Sequence, residues 1–267
     1  MDGDTTAPVL LREDAGGIAT LTLNRPGALN ALSEAMLGAL QAEIDALATD
    51  TATRVVVIRA AGRAFCAGHD LREMEAARAA NDRGRAYFTA LFAQCARMMT
   101  SLTRLPQPVI AEVQGLATAA GCQLVASCDM AVAAEGTKFG VNGVNIGLFC
   151  STPMVALSRN IPRKQAFEML TTGGFIDATR AEALGLVNRV VPAEALEEET
   201  RALATTVAGK LGAAVRIGKE AFYAQSEMGL ADAYAHTGAV MVDNMLWRDT
   251  DEGIRAFLEK RPPDWRG

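Results

Sequence analysis

The sequence predicts an α/β fold, and three observations carry that prediction. Apolar, β-rich runs alternate with stretches of helical periodicity along most of the chain. Two of those runs, Val55-Val56-Val57-Ile58 and Val109-Ile110-Ala111, each lead through a turn of small residues into a helix-like pattern. After Pro192 no obvious strand remains and a helical tail follows, which divides the chain into 1–192 and 193–267. At 267 residues there is enough chain for one sizeable core with a smaller appendage.

The elements follow in order. The first thirty residues read as a short strand pair, Val9-Leu10-Leu11 and then Gly17 to Leu23. Ser33 is placed to cap a helix whose apolar positions Met36, Leu37, Leu40, Ile44 and Leu47 recur at helical spacing. A strand over 54–59 precedes the first small-residue turn. A long polar-faced helix from about Asp82 to Leu102 follows, stopped by Pro106 and Pro108. The Ala/Arg-rich stretch 76–86 before it reads as a loop or helix near a substrate entrance. The second strand, turn and helix fill 109–127 and lead into the strand Met130-Ala131-Val132-Ala133. In the tail, helices are expected over Ala193 to Leu211, Ile217 to Met228 and Asp251 to Lys260.

Composition excludes several classes of function. A net charge of −5 with no block of Lys or Arg argues against a nucleic-acid surface. No apolar run approaches ~20 residues, so no membrane span is expected. The acidic start Met1-Asp2-Gly3-Asp4 has neither an apolar signal core nor an Arg-rich transit pattern, which suggests the cytoplasm or a mature form. Five cysteines (Cys66, Cys95, Cys122, Cys128, Cys150) without a CxxC pair, beside only two histidines, suggest free buried thiols and no metal site. No GxGxxG follows the first strand, which disfavours a dinucleotide-binding domain.

The two turns carry the chemistry. They are Ala64-Phe65-Cys66-Ala67-Gly68-His69-Asp70-Leu71 and Gly115-Leu116-Ala117-Thr118-Ala119-Ala120-Gly121-Cys122-Gln123. Small side chains leave backbone N–H groups uncovered, so two such turns side by side can aim two donors at one oxygen, as an oxyanion hole does. The competing reading is a pair of tight connections with close packing.

Together with Leu23-Asn24-Arg25-Pro26-Gly27-Ala28-Leu29-Asn30-Ala31-Leu32, Cys128-Asp129-Met130-Ala131-Val132-Ala133 and Ala181-Glu182-Ala183-Leu184-Gly185-Leu186-Val187, these turns resemble the signature of the enoyl-CoA hydratase/isomerase (crotonase) superfamily. The similarity runs from about Ile18 to the C-terminal helices. Gly115 to Asp129, with Val144 to Pro153, resembles the subgroup called enoyl-CoA hydratase domain-containing protein 3. The resemblance implies a spiral core of repeated ββα units over 1–192. It implies that 193–267 is a helical region that builds homotrimers, often paired into hexamers, and covers the active site. It implies a lyase-type enzyme acting on an acyl-CoA thioester, with coenzyme A present only as part of the substrate and no tightly bound cofactor.

Carried over residue by residue, the resemblance puts the oxyanion donors at the backbone N–H groups of His69 and Ala120. Arg25 would approach the phosphates or pantetheine, and Ala67, Gly68, Asp70 and Leu71 would line the channel for adenine and pantetheine. Lys219 matches a helix lysine that reaches the nucleotide phosphates. On residue type alone, Arg25 also reads as closing the turn before Pro26, Lys219 as part of a solvated helix face, and Asp70 as a helix N-cap.

The chain departs from the family at the two usual glutamates, which Gln123 and Gly143 replace. Neither residue serves as a general acid or base. Hydration of simple enoyl-CoAs is therefore expected to be weak or absent. Replacement groups are sought after Phe139-Gly140, where Ser151 with His69 as its base, or Cys150, are candidate nucleophiles. For Cys150 the alternative is a buried packing thiol, and for His69 a wall of the acyl pocket. The alternative for the whole chain is a non-catalytic acyl-CoA-binding or regulatory protein.

Overall fold

The computed structural model describes residues 7–266, so the Met1–Asp4 start lies outside them. The chain opens with β1 (Leu10–Ala15) and β2 (Ile18–Leu23), an antiparallel pair. Helix α1 (Glu34–Thr49) begins where expected: Ser33 Oγ accepts the Met36 N–H at 3.2 Å, and Met36, Leu37, Leu40, Ile44 and Leu47 are all buried. Then come β3 (Val55–Ala60), the short α2 (Leu71–Ala77) and the long α3 (Arg85–Arg104). Asp82 accepts the N–H groups of Gly84 and Ala86, which holds the start of α3.

A strand–strand–helix unit follows in β4 (Val109–Val113), β5 (Leu116–Thr118) and α4 (Ala120–Ser127). It recurs in β6 (Met130–Ala134), β7 (Lys138–Gly140) and α5 (Pro153–Asn160), then α6 (Arg163–Thr172). The chain continues through β8 (Phe175–Asp177), α7 (Ala178–Leu184) and β9 (Arg189–Val191). It closes with α8 (Leu196–Ala208), α9 (Gly212–Gln225), α10 (Leu230–Met245) and α11 (Arg248–Glu259).

Among the described residues the strands form a larger sheet, ordered β1-β2-β3-β4-β6-β9, and a smaller one, β5-β7-β8. From β2 to β9 every pairing in the larger sheet is parallel. The successive units therefore wind on in one direction, giving the expected α/β spiral core.

Such strands need cover on both faces, and their alternation supplies it. Val56, Ile58, Val109, Ala111, Ala131 and Ala133 join the main core with residues of α1 and α3. Val55, Val57, Ile110, Val132 and Ala134 point the other way, where Leu196 and Ala204 of α8 cover them. Helix α8 lies beyond Pro192 and packs against this sheet face. Helix α10, which falls between the expected tail helices, contributes no buried residue at all. Large apolar side chains of α10, of α11 and of the link between them remain at the surface: Leu230, Tyr234, Met241, Leu246, Phe257 and Leu258 are each more than half exposed.

Candidate functional site

The two small-residue turns lie side by side, stitched by backbone. Phe65 N–H donates to Gln114 O and Cys66 N–H to Leu116 O, each at 3.0 Å, and Thr118 N–H returns a bond to Cys66 O at 3.0 Å. On its far side the first turn is tied to the 29–32 segment: Ala67 N–H donates to Leu29 O at 3.0 Å, and Leu32 N–H to Gly68 O at 2.8 Å.

Three glycines make this approach possible. A Cβ on Gly121 would lie 2.1 Å from Cys66 O, and one on Gly115, at φ +66°, only 1.9 Å from Arg63 O. A Cβ on Gly68, at φ +90°, would lie 2.9 Å from Ala119 Cβ and 3.2 Å from Ala120 N. The His69 end of one turn therefore abuts the N-terminus of α4 in the other. Ala119 itself takes φ 49° with ψ −121°, a left-handed setting that is strained for a residue with a Cβ. Its N–H is held by Gly140 O at 2.9 Å.

Among the described residues, the backbone N–H groups of His69 and Ala120 donate to no protein acceptor. Ala120 opens α4, so its N–H has no intrahelical partner and the helix dipole adds positive potential there. The imidazole of His69 stands edge-on to Phe92, with ring centroids 5.7 Å apart. Both of its nitrogens are buried, neither has a hydrogen bond of good geometry among the described residues, and burial outweighs a weak interaction with the Leu32 backbone to push its pKa below the usual value. A neutral ring is the result. Gln123, one turn further along α4, is buried, and its Oε1 also lacks a partner. Beyond Phe92 lies an open pocket of about 480 Å³, lined by Asp82, Arg83, Arg85, Phe88, Thr89 and Phe92.

Other candidates prove differently placed. Arg25 donates from Nη2 to Asp70 Oδ2 at 3.2 Å, while Asp70 Oδ1 caps α2 by accepting the Arg72 N–H at 3.0 Å. Asp70 thus performs the N-cap role and also pins Arg25 beside Gly68. Ala67 is half-buried, and Leu71 is exposed on the same turn.

Lys219 is a correction. It does not extend from a solvated face towards a nucleotide phosphate; it is buried, and its Nζ donates to Asp129 Oδ2 (2.7 Å), Leu102 O (2.9 Å) and Gln107 O (2.9 Å). An ammonium has three protons, and all three are used. Asp129 also accepts the Tyr223 hydroxyl and the Val109 N–H, so this cluster binds α9 to the sheet.

The expected serine–histidine pair is likewise absent among the described residues. Ser151 is exposed, and its hydroxyl reaches only Phe149 O, at 3.4 Å. Cys150 is buried with its Sγ accepting the Gly143 N–H at 3.3 Å, and burial raises its pKa, as expected of a packing thiol. A Cβ on Gly143 would lie 2.3 Å from Leu148 O and 2.9 Å from Cys150 Sγ. The loop has closed over the space a side chain would need there.

Sequence reasoning quoted Asn30 in a motif but assigned it no part. Fully buried at φ 52°, it donates from Nδ2 to Ala61 O and Ala64 O and accepts the Arg25 N–H, fixing the entry to the first turn. An asparagine at the end of the turn that Pro26-Gly27 opens, where a left-handed residue is tolerated, was the available signal. Among the described residues, no group of three or more His, Cys, Asp or Glu is arranged to hold a metal, and no helix is long and apolar enough to cross a membrane.

Comparison with known proteins matches this arrangement. Residues 13–267 match the family described as Enoyl-CoA hydratase/isomerase. The crystal structure of an enoyl-CoA hydratase from Mycobacterium smegmatis superposes with a TM-score of 0.93 at 54% identity, covering 98% of this chain and 100% of that one. Human enoyl coenzyme A hydratase domain-containing protein 3 superposes with a TM-score of 0.92 at 46% identity, over 96% and 100% of the two chains. The Xenopus laevis enoyl-CoA hydratase domain-containing protein 3, named as mitochondrial, is 47% identical over 97% of this chain and 86% of its own. A family match across nearly the whole length, joined to a crotonase-type core, establishes that this chain belongs to the enoyl-CoA hydratase/isomerase family.

Proposed function

We propose that this chain binds an acyl-CoA thioester and stabilises its enolate between the backbone N–H groups of His69 and Ala120. The observation that carries the reading is the abutment of Gly68 on Ala120, which brings two N–H groups without protein acceptors to adjoining turns. Charge that develops on a thioester oxygen during removal of an α-proton is the charge such donors stabilise, and losing one typically costs roughly 100- to 1000-fold in rate. Arg25, Ala67, Gly68, Asp70 and Leu71 form the proposed border of the coenzyme A channel.

Ordinary hydration is not part of the proposal. Gln123 and Gly143 supply no acid or base, and the lyase activity of the family is therefore weak here or replaced by other chemistry at the enolate. The half-buried His69 is the titratable ring beside the hole and the candidate proton acceptor there, although burial lowers its pKa and so weakens it as a base. A second reading, an acyl-CoA-binding protein without turnover, is favoured by one feature: the loop from Leu148 to Cys150 packs against the position where a second carboxylate would start. The exposed apolar surface of α10 and α11 supports self-association, and we propose a homotrimer or a dimer of trimers, to be checked by light scattering.

The deciding experiment incubates the protein with butyryl-CoA in heavy water and follows deuterium at the α-carbon. Exchange supports the enolate reading. Tight binding without exchange removes it in favour of the binding protein.

A further inference from the structure

The pocket beyond Phe92 is a candidate that the enolate chemistry leaves unexplained. A continuous line of ring contacts leads to it from the proposed oxyanion residue. His69 meets Phe92 edge-on at 5.7 Å, Phe92 stacks against Phe88 at 6.4 Å, and the Arg78 guanidinium lies over the Phe88 ring at 5.6 Å. The inner part of this line is apolar, and its outer end is cationic.

Arg83 and Arg85 also line the pocket; neither makes a side-chain hydrogen bond among the described residues, and Arg85 feels the charge of the neighbouring Asp82. The one acid in the lining, Asp82, is already occupied, accepting the N–H groups of Gly84 at 3.0 Å and Ala86 at 2.8 Å. Arg78 has only a loose, exposed contact with Glu75, at 3.7 Å. In an otherwise acidic protein, this places an excess of positive charge, three guanidiniums beside Glu75 and Asp82, at the end of an aromatic wall that starts at the proposed reaction centre. Planar guanidiniums with free N–H groups are suited to carboxylates.

We propose that the preferred substrate is an acyl thioester whose chain ends in a carboxylate. The methylene chain runs along Phe92 and Phe88, and the terminal carboxylate is held by Arg83 and Arg85. At ~1.2 Å per bond of extended chain, the 5.7 and 6.4 Å steps from His69 through Phe92 to Phe88 correspond to a chain of about ten bonds. This deepens the acyl-CoA reading and rests on it.

The test compares the affinities of decanedioyl-CoA, decanoyl-CoA and free coenzyme A for the full-length protein by calorimetry. It is repeated on the double variant Arg83→Asn/Arg85→Gln; asparagine is chosen because Arg83 has a φ of 58°. We expect decanedioyl-CoA to bind at least about 10-fold more tightly than decanoyl-CoA, the scale of one charge-assisted hydrogen bond. That advantage should shrink in 0.5 M salt and vanish in the variant, with decanoyl-CoA unchanged. Equal affinity of the two thioesters for the wild type overturns the proposal. So does a variant that loses all three ligands alike, because the arginines would then be holding coenzyme A phosphates. Failure of both thioesters to bind overturns the acyl-CoA reading itself, and this proposal with it.

Discussion

The contact between the two turns depends most directly on Gly121, and adding one methyl group there tests the proposed site. In Gly121→Ala the new carbon would stand 2.1 Å from Cys66 O and 2.7 Å from Cys66 C. Carbon–oxygen contacts of this type settle at about 3.3 Å, so the first turn must retreat by about 1 Å. Overpacking of that size costs about 1–3 kcal/mol. The helix preference for alanine over glycine returns ~1 kcal/mol, leaving a net loss of about 0–2 kcal/mol and a fall in Tm of at most roughly 8 °C. The effect on function should be larger than the effect on stability. Moving the His69 N–H by 1 Å relative to the Ala120 N–H should lower α-proton exchange about 100-fold. Gly218→Ala in α9 is the control, because a Cβ there meets nothing within 4 Å, so both readings should stay near wild type or rise slightly in stability. The reasoning is refuted if Gly121→Ala exchanges within threefold of wild type, because the hole would then not depend on the approach of the two turns.

Three further outcomes follow from side chains whose placement the structure makes plain. Lys219→Met should destabilise by about 3–5 kcal/mol in urea, since it leaves a largely buried carboxylate without its counter-charge and two carbonyls without their donor; Tyr223→Phe should cost about 1.5 kcal/mol, and losses below 1 kcal/mol in the lysine variant would show that the cluster is not a structural tie. His69 should lower stability in mild acid. Its folded pKa lies below the unfolded value of ~6.5, so below that pH the unfolded chain takes up a proton the folded chain does not. By pH 5.5 this removes up to about 1.4 kcal/mol relative to His69→Asn, and parallel pH profiles for the two proteins would refute it. Finally, burial pushes the thiols of Cys66, Cys95 and Cys122 up to about 12 and also raises Cys128 and Cys150. The native protein at pH 7.5 should resist iodoacetamide at all five, and mass spectrometry showing rapid modification of Cys150 would restore it as a nucleophile.

Much of the fold was legible because local signals and burial agree. Ser33 with its five apolar helix positions, the β-branched run at Val55 and the proline stop after α3 each report on their immediate neighbourhood. The missed parts lack that agreement. Helix α10 has no fully buried residue, so no one-sided apolar stripe announces it within a single chain. Strands β5, β7, β8 and β9 are three residues each, too short for alternation to register. At the site, backbone geometry was readable because small residues leave a mark at fixed positions. Side-chain partnerships were not. Lys219 meets Asp129 across 90 residues of sequence, and periodicity cannot separate a buried tie from a solvated helix face. Ser151 and His69 showed the converse error, since suitable chemistry in two residues does not bring them together.

The closure around Gly143 bears on how a carboxylate could be introduced into the site. With Leu148 O 2.3 Å from where a side chain would begin, placing a glutamate there by one substitution would damage the fold before it could add any chemistry. Glycine at 143 is therefore required by its neighbours as they stand, whereas a glutamate at 123 would match Gln123 in shape and meet instead the cost of burying its charge. The obstacle is steric at one position and electrostatic at the other. The order of substitutions matters: a variant library seeking hydration must first release the 148–150 segment, and only then does a carboxylate at 143 gain a selectable value.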